Sequence, residues 1–196
     1  MKKLLFTGGT GFLGRNIKPI LDKSYSVTTI GISDVDMIKA NFVTDIPNLP
    51  ERYEIVLHAA GKAHVLPKTE AERKAFYDVN LTGTIHLCEA LEKTGVPKSL
   101  IFISTLSVYG DEPGNMDTEN CRPLVGDSPY SDSKIKAEAY LTEWCKKNNV
   151  ILGILRPSLL AGKGAPGNLG AMIHGIKTGA YLSIAGGKAK KECFDG

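Results

Sequence analysis

Residues 7–14 read Thr-Gly-Gly-Thr-Gly-Phe-Leu-Gly, directly after the short apolar run Leu4-Leu5-Phe6 and directly before a helix-like stretch, 12–23. A strand that turns this tightly into a helix presents free backbone N–H groups and the positive end of a helix dipole, and glycines let an anion reach that backbone. Such a turn demands a strand before it, a helix after it and a ligand crevice at the strand's carboxyl end. An ordinary tight strand-to-helix turn would use the same glycines, but this flanking context favours a dinucleotide as ligand. Two registers fit, Gly9-x-Gly11-x-x-Gly14 and Gly8-x-x-Gly11-x-x-Gly14. The residues expected to meet the pyrophosphate are Gly8, Gly11, Phe12, Leu13 and Gly14.

The rest of the chain is compatible with that turn. At 196 residues, with 42% hydrophobic and 23% charged content, it suits one globular domain with a real core. The net charge is +3, and the only dense basic stretch is the short tail Lys188-Ala-Lys190-Lys191, which argues against nucleic acid as a partner. The apolar start is cut off at Thr7, too soon for a secretory h-region, and no later run approaches membrane-spanning length. A cytoplasmic protein without a membrane partner is expected. Cys88, Cys121, Cys145 and Cys193 are scattered with no paired spacing, so they read as reduced residues and no metal site is expected.

Apolar, β-branched segments recur at 4–6, 27–32, 55–57, 100–103 and 150–155, separated by longer helical stretches. Alternation of this kind predicts parallel strands joined by helical crossovers, hence an α/β, doubly wound parallel sheet. A long helix is expected over 67–93, interrupted near Asp78-Val-Asn80, and another over 128–147, capped by Asp127-Ser128-Pro129. Between Gly110 and Asp127 the chain is rich in Gly, Pro, Asp and Asn and reads as a loop lying over the site.

Tyr130 and Lys134 stand one helical turn apart on one face. A phenol ionises near pH ~10, so a tyrosine serving as base near neutrality needs about 4 kcal/mol of preferential phenolate stabilisation, which an adjacent ammonium can partly supply. Taken alone, the pair is equally a surface Tyr and Lys at helical spacing.

Five motifs in order change that balance: Gly8-x-x-Gly11-x-x-Gly14, His58-Ala-Ala-Gly61, Asn80 with Gly83-Thr84, Ser104-Thr105-Leu-Ser107-Val-Tyr-Gly110, and Tyr130-x-x-x-Lys134. Together they resemble the NAD-dependent epimerase/dehydratase branch of the extended short-chain dehydrogenase/reductases, over residues 3 to about 185. The resemblance implies a Rossmann fold binding NAD, with NADP the alternative. It implies that Tyr130 takes a hydroxyl proton as hydride leaves the same carbon, that Lys134 also holds the nicotinamide ribose, and that Thr105 orients the reacting oxygen. Asn80 would support a proton relay to Lys134. Ala59, Ala60 and Gly61 would let backbone approach the cofactor, Asp45 and Ile46 would contact adenine, and Pro157 would lie beside the nicotinamide. Ser107, Asn168 and Leu169 would face a nucleotide-sugar substrate, and His58 reads as structural. Relatives of this kind pair through a four-helix interface, so homodimerisation through 67–93 and 128–147 is an expectation.

Departures from the pattern qualify the function. The end of the second strand expects an acidic residue for the adenosine ribose, and Gly31 stands there; Asp34 or Asp36 would substitute only if the loop folds back. No arginine near that strand end speaks for NADP, which leaves NAD ahead. Leu106-Ser107 replaces the acidic pair of the dehydratases, so 4-epimerisation of a nucleotide-sugar, or its simple oxidation or reduction, is favoured over dehydration. A dinucleotide-binding module without turnover, a sensor or scaffold, is the rival reading. Residues 1–185 are expected to form the dinucleotide-binding domain and 186–196 the start of a substrate lobe that is largely missing, leaving a chain that binds cofactor but turns over sugar-nucleotides poorly.

Overall fold

The computed structural model of the chain describes residues 1–63, 66–110, 124–162, 164–165 and 167–179. Its contacts divide the chain into two units, Met1–Pro157 and Ser158–Gly196. The domain boundary expected near 185 lies outside the described residues, as does most of the loop expected over 110–127.

The first unit begins with β1 (Lys2–Thr7), α1 (Phe12–Leu21), β2 (Tyr25–Gly31) and the two-residue β3 (Ile38–Lys39). It continues with β4 (Ile55–His58), α2 (Glu70–Tyr77), a π-helical turn (Asp78–Thr82) and α3 (Gly83–Thr94). Next come β5 (Ser99–Ile103), a 3-10 turn (Leu106–Tyr109), α4 (Pro129–Asn148) and β6 (Ile151–Leu155). In the second unit, α5 spans Gly167–Thr178.

The strands lie in the order β3-β2-β1-β4-β5-β6, and every pairing is parallel. The expected doubly wound sheet is therefore the fold. Strand order reverses between β1 and β4, so the crevice outside their carboxyl ends is where such a sheet accepts a ligand. Both neighbours of that crevice carry motif residues, the glycine turn after β1 and Ala59-Ala60-Gly61 after β4.

Side-chain alternation along β1 shows why the sheet is covered on both faces. Leu4 and Phe6 pack with Leu57, Ile17 and Leu21 on the α1 side. Leu5 packs the opposite way, with Val56, Leu100 and Phe102, against Leu87 and Leu91 of α3 and Leu141 and Trp144 of α4. Burial of side chains of this size is worth roughly 1.5–3 kcal/mol each, so α3 and α4 are fixed against the sheet by their apolar stripes. The helix expected over 67–93 is broken where expected, at the π-helical turn, which inserts one extra residue and turns Asn80 inward. Ser128 caps α4 through a reciprocal bond pair with Ser131, Pro129 follows at the first turn, and Asn149 closes the helix in the left-handed conformation, φ 54°.

Candidate active site

The three glycines of the first motif do three different jobs. Gly8 has φ +77°, and a methyl group on it would lie 2.7 Å from the Ala59 carbonyl carbon and the Ala60 nitrogen. It must be glycine for β1 and β4 to end side by side. A methyl on Gly14 would lie 2.4 Å from the carbonyl oxygens of both Gly8 and Gly9, so Gly14 lets α1 close onto the turn. Gly11 differs: a methyl there would meet only the Gly8 oxygen, at 3.2 Å, and otherwise open space. It caps α1 from extended backbone with no side chain on the helix end, and the first turn holds no acidic residue. The intrahelical ladder starts with the Arg15 N–H on the Gly11 carbonyl, which leaves the N–H groups of Phe12, Leu13 and Gly14 as orphan donors. An anion such as a pyrophosphate fits this arrangement, since no side chain among the described residues caps the dipole end.

Behind the turn runs a buried hydrogen-bond chain that joins three motifs. The Ala60 N–H donates to Thr7 Oγ1 (3.0 Å), and Thr7 Oγ1 lies 2.7 Å from His58 Nδ1. His58 Nε2 lies 2.9 Å from Thr84 Oγ1, which donates to the Asn80 carbonyl (2.6 Å). One assignment satisfies all partners: Thr7 donates to Nδ1, and Nε2–H donates to Thr84. Burial, reinforced by the charge of Lys134, holds the His58 imidazole down to about 3. His58 is accordingly neutral and structural, as the sequence suggests.

Asn80 is 1% exposed, and each polar end of its side chain is engaged. Its Oδ1 accepts from the Lys62 N–H (2.8 Å), while Nδ2 donates to the Lys62 carbonyl (3.2 Å) and to Ser133 Oγ (2.9 Å). Ser133 Oγ in turn donates to the Tyr130 carbonyl (2.8 Å). The π-helical turn thus ties the segment after β4 to the first turns of α4. Gly61 sits at the convergence, where a methyl would lie 3.0 Å from Asn80 Oδ1 and 3.1 Å from Lys134 Nζ.

Lys134 is 4% exposed. Its ammonium donates to the Ile103 carbonyl (2.9 Å) and lies 4.6 Å from the centre of the Phe102 ring. Burial pulls it down to about 8, with the carboxylate of Glu138 one turn along α4 opposing. Glu138 is itself bidentate to Arg156, Oε1 to Nε at 3.1 Å and Oε2 to Nη2 at 2.7 Å, and Arg156 Nη1 donates to the Tyr109 hydroxyl at 2.6 Å. That network fastens α4 to the end of β6 and to the 3-10 turn after Thr105.

Thr105 caps that 3-10 turn, its Oγ1 accepting from the Ser107 N–H (3.2 Å). The Tyr130 phenol faces the Thr105 hydroxyl; burial raises the phenol above its ordinary value of 10.0 and the hydrogen bond with Thr105 opposes the rise. The Lys134 ammonium, expected from the sequence to lower the phenol, donates to the Ile103 carbonyl. The Leu106 N–H donates to the Pro157 carbonyl (3.0 Å), which sets Pro157 beside the Thr105 segment.

Thr105, Tyr130, Lys134, Asn80, Gly61 and Pro157 are thus gathered by the carboxyl ends of β4, β5 and β6, with the glycine turn one strand away. Ser107 is exposed at the rim of this set. Asp45 and Ile46 are exposed in the segment after β3, where the Asp45 N–H closes a turn on the Asn41 carbonyl. Asn168 and Leu169 fall in the first turn of α5, in the second unit. Phe102 and the pairing of Glu138 with Arg156 were not singled out from sequence, and Thr7 and Thr84 were read only as members of their motifs. Only Glu138, four residues after Lys134, carried a local signal, the helical spacing of an ion pair.

Comparison with known proteins agrees with this architecture. The chain is 29% identical over 197 residues to a UDP-glucose 4-epimerase of Vibrio cholerae, across 92% of the chain and 58% of the relative. It is 32% identical over 166 residues to a UDP-glucose 4-epimerase of Neisseria meningitidis serogroup B, across 73% of the chain and 48% of the relative. The chain therefore spans about half the length of the curated relatives it matches. Among solved structures it shares its fold with RMD from Pseudomonas aeruginosa complexed with NADPH (TM-score 0.75, 22% identity, 92% of this chain and 64% of that one). It shares it equally with UDP-glucuronic acid 4-epimerase from Bacillus cereus in complex with NAD (TM-score 0.74, 23% identity, 93% and 65%). The model of the NAD dependent epimerase/dehydratase family matches residues 4–193, and the chain belongs to that family.

Proposed function

We propose that this chain is the cofactor-binding half of an NAD-dependent nucleotide-sugar epimerase, acting by transient hydride transfer at a sugar hydroxyl carbon. The observation that carries the proposal is the convergence of Thr105, Tyr130 and Lys134 at strand ends beside an uncapped, glycine-lined helix N-terminus. A pure dinucleotide-binding module has no use for a half-buried phenol set against a threonine hydroxyl. Supporting the nucleotide-sugar class are the curated relatives, UDP-glucose 4-epimerases by name.

In the proposed reaction Thr105 holds the sugar oxygen, and Tyr130 takes its proton while hydride leaves the same carbon. An oxidised nicotinamide held by these residues would supply the hydride acceptor. Lys134 holds the cofactor ribose and supplies a cation that helps bring the raised phenol into a usable range. Tyr130 would return the proton to the same oxygen once hydride had come back to the opposite face of the carbon, so that the carbon would be inverted with no net oxidation. Asn80 keeps Lys62 and Ser133 in register and so holds the Tyr130 backbone. Ala59, Ala60, Asp45, Ile46 and Pro157 line the remaining cofactor path, and Ser107 faces the sugar-nucleotide. The absence of an acidic pair after Thr105 favours epimerisation over dehydration.

Hydride transfer tests the proposal. With NAD and a concentrated UDP-hexose, the purified chain should convert the hexose to its 4-epimer slowly but measurably. Tyr130→Phe should slow this by about 10²–10⁴-fold and leave NADH affinity close to wild type. Equal rates in the two proteins would remove Tyr130 from the reaction.

A further inference from the structure

Resting on the proposed reaction above, we infer that Arg156 is a positioning residue for it, a strut that holds the Thr105 turn in one fixed relation to α4, the helix of Tyr130 and Lys134. The end of β6 clasps Thr105 on both sides. The Ser104 N–H donates to the Leu155 carbonyl (2.7 Å), and the Leu106 N–H donates to the Pro157 carbonyl (3.0 Å). Arg156 lies between those two acceptors, so its backbone moves only with the Thr105 segment.

Its side chain leaves this clasp in two directions. Nε and Nη2 donate to the two oxygens of Glu138 (3.1 and 2.7 Å), which stands one turn after Lys134 on the buried face of α4. Nη1 donates to the Tyr109 hydroxyl (2.6 Å), and the guanidinium carbon lies 5.1 Å from the centre of the Tyr109 ring. Tyr109 ends the 3-10 turn that Thr105 caps. Both ends of that turn, Thr105 by backbone and Tyr109 by side chain, are therefore referred to one guanidinium, and through Glu138 to the helix that carries the phenol.

The energetics point to position rather than stability. The Arg156 and Glu138 side chains are 17% and 4% exposed, and a pair this buried commonly stabilises a fold no better than apolar residues filling the same volume. What it supplies is direction. A guanidinium holds its donors in a rigid plane, and here all three nitrogens are used on two partners; a lysine has the charge without the fork. A threonine that must aim a sugar oxygen at Tyr130 needs such a constraint, because a misplacement of about 1 Å can cost about 10²-fold in rate.

Steady-state epimerisation of a UDP-hexose by the 196-residue chain, with NADH affinity measured by calorimetry, tests the inference. Arg156→Lys should lower kcat by about tenfold or more while KM and NADH affinity stay within about twofold of wild type. Tyr109→Phe keeps the ring and loses the hydroxyl that accepts from Arg156, and it should lower kcat with the same silence in KM. Combining the two should cost little more than Arg156→Lys alone, since both break one strut. If Arg156→Lys does not fold, Tyr109→Phe decides alone. Wild-type kcat in either folded variant, losses that multiply in the double variant, or a loss confined to KM or to NADH affinity overturns the assignment of Arg156 and leaves the proposed function standing. A wild type that makes no epimer, or a Tyr130→Phe variant that makes it as fast, overturns the proposed function and this inference with it.

Discussion

The glycine turn and the Tyr130–Lys134 corner face one crevice but are held in shape by opposite means. The turn is made of absent side chains. Gly8 and Gly14 are fixed by backbone atoms that approach to 2.7 and 2.4 Å of where a methyl would stand, so packing of the fold itself enforces them. The corner is made of side chains kept in place at a cost, most clearly a lysine 4% exposed whose ammonium burial disfavours. The same crevice therefore has one wall that cannot change without damaging the fold and one that the fold would be more stable without. Active sites that carry strained or desolvated groups commonly show this second behaviour.

The largest expected effect lies on the first wall. Gly14→Ala puts a methyl against two carbonyl oxygens of a turn that has no room to retreat, and should destabilise the chain by several kcal/mol, on the scale of severe overpacking. Urea unfolding followed by circular dichroism would read it, and a midpoint close to wild type would break the contrast drawn between Gly14 and Gly11.

On the second wall the sign reverses. Burial brings Lys134 down to about 8 from 10.5, so between those values the unfolded chain binds a proton that the folded chain does not. Stability accordingly rises with pH across that window, and below about 8 the cost of burying the cation is present in full. Lys134→Met should stabilise the protein at pH 7 by on the order of 1–3 kcal/mol, net of the lost bond to Ile103. The gain should shrink as pH approaches 10.5, the ordinary lysine value. Unfolding curves at both pH values check it; a variant less stable than wild type at pH 7 would place Lys134 among the stabilising residues instead.

Legibility in the sequence follows the same division. The glycine turn and five of the strands could be read because their determinants are local: an apolar run, a break, a helix start. The two-residue β3, Ile38–Lys39, carries no such run and is defined by its pairing with Ile30 and Gly31. The π-helical turn was visible as an interruption near Asn80, but what Asn80 holds, Lys62 and Ser133, depends on chain segments brought together only by the sheet. For the same reason Tyr130 and Lys134 could be found by spacing, while the Phe102 ring under Lys134 and the Thr7–His58–Thr84 chain could not. Of the two aspartates after β2, Asp36 sets its carboxylate against Gly31, which only the loop geometry reveals. Asp34 pairs instead with Lys39 on the exposed side.

The account's central claim is that a dinucleotide lies on the face of the turn that Gly11 leaves open. Gly11→Val tests it most directly, because a Cβ at 11 meets only the Gly8 oxygen among the described residues, and the added methyls are expected to fill the space assigned to the pyrophosphate. Calorimetry with NADH, paired with a thermal melt, should show a protein that unfolds near the wild-type temperature but has lost most of its affinity. Equal NADH affinity in wild type and Gly11→Val would contradict the claim and move the ligand away from this turn.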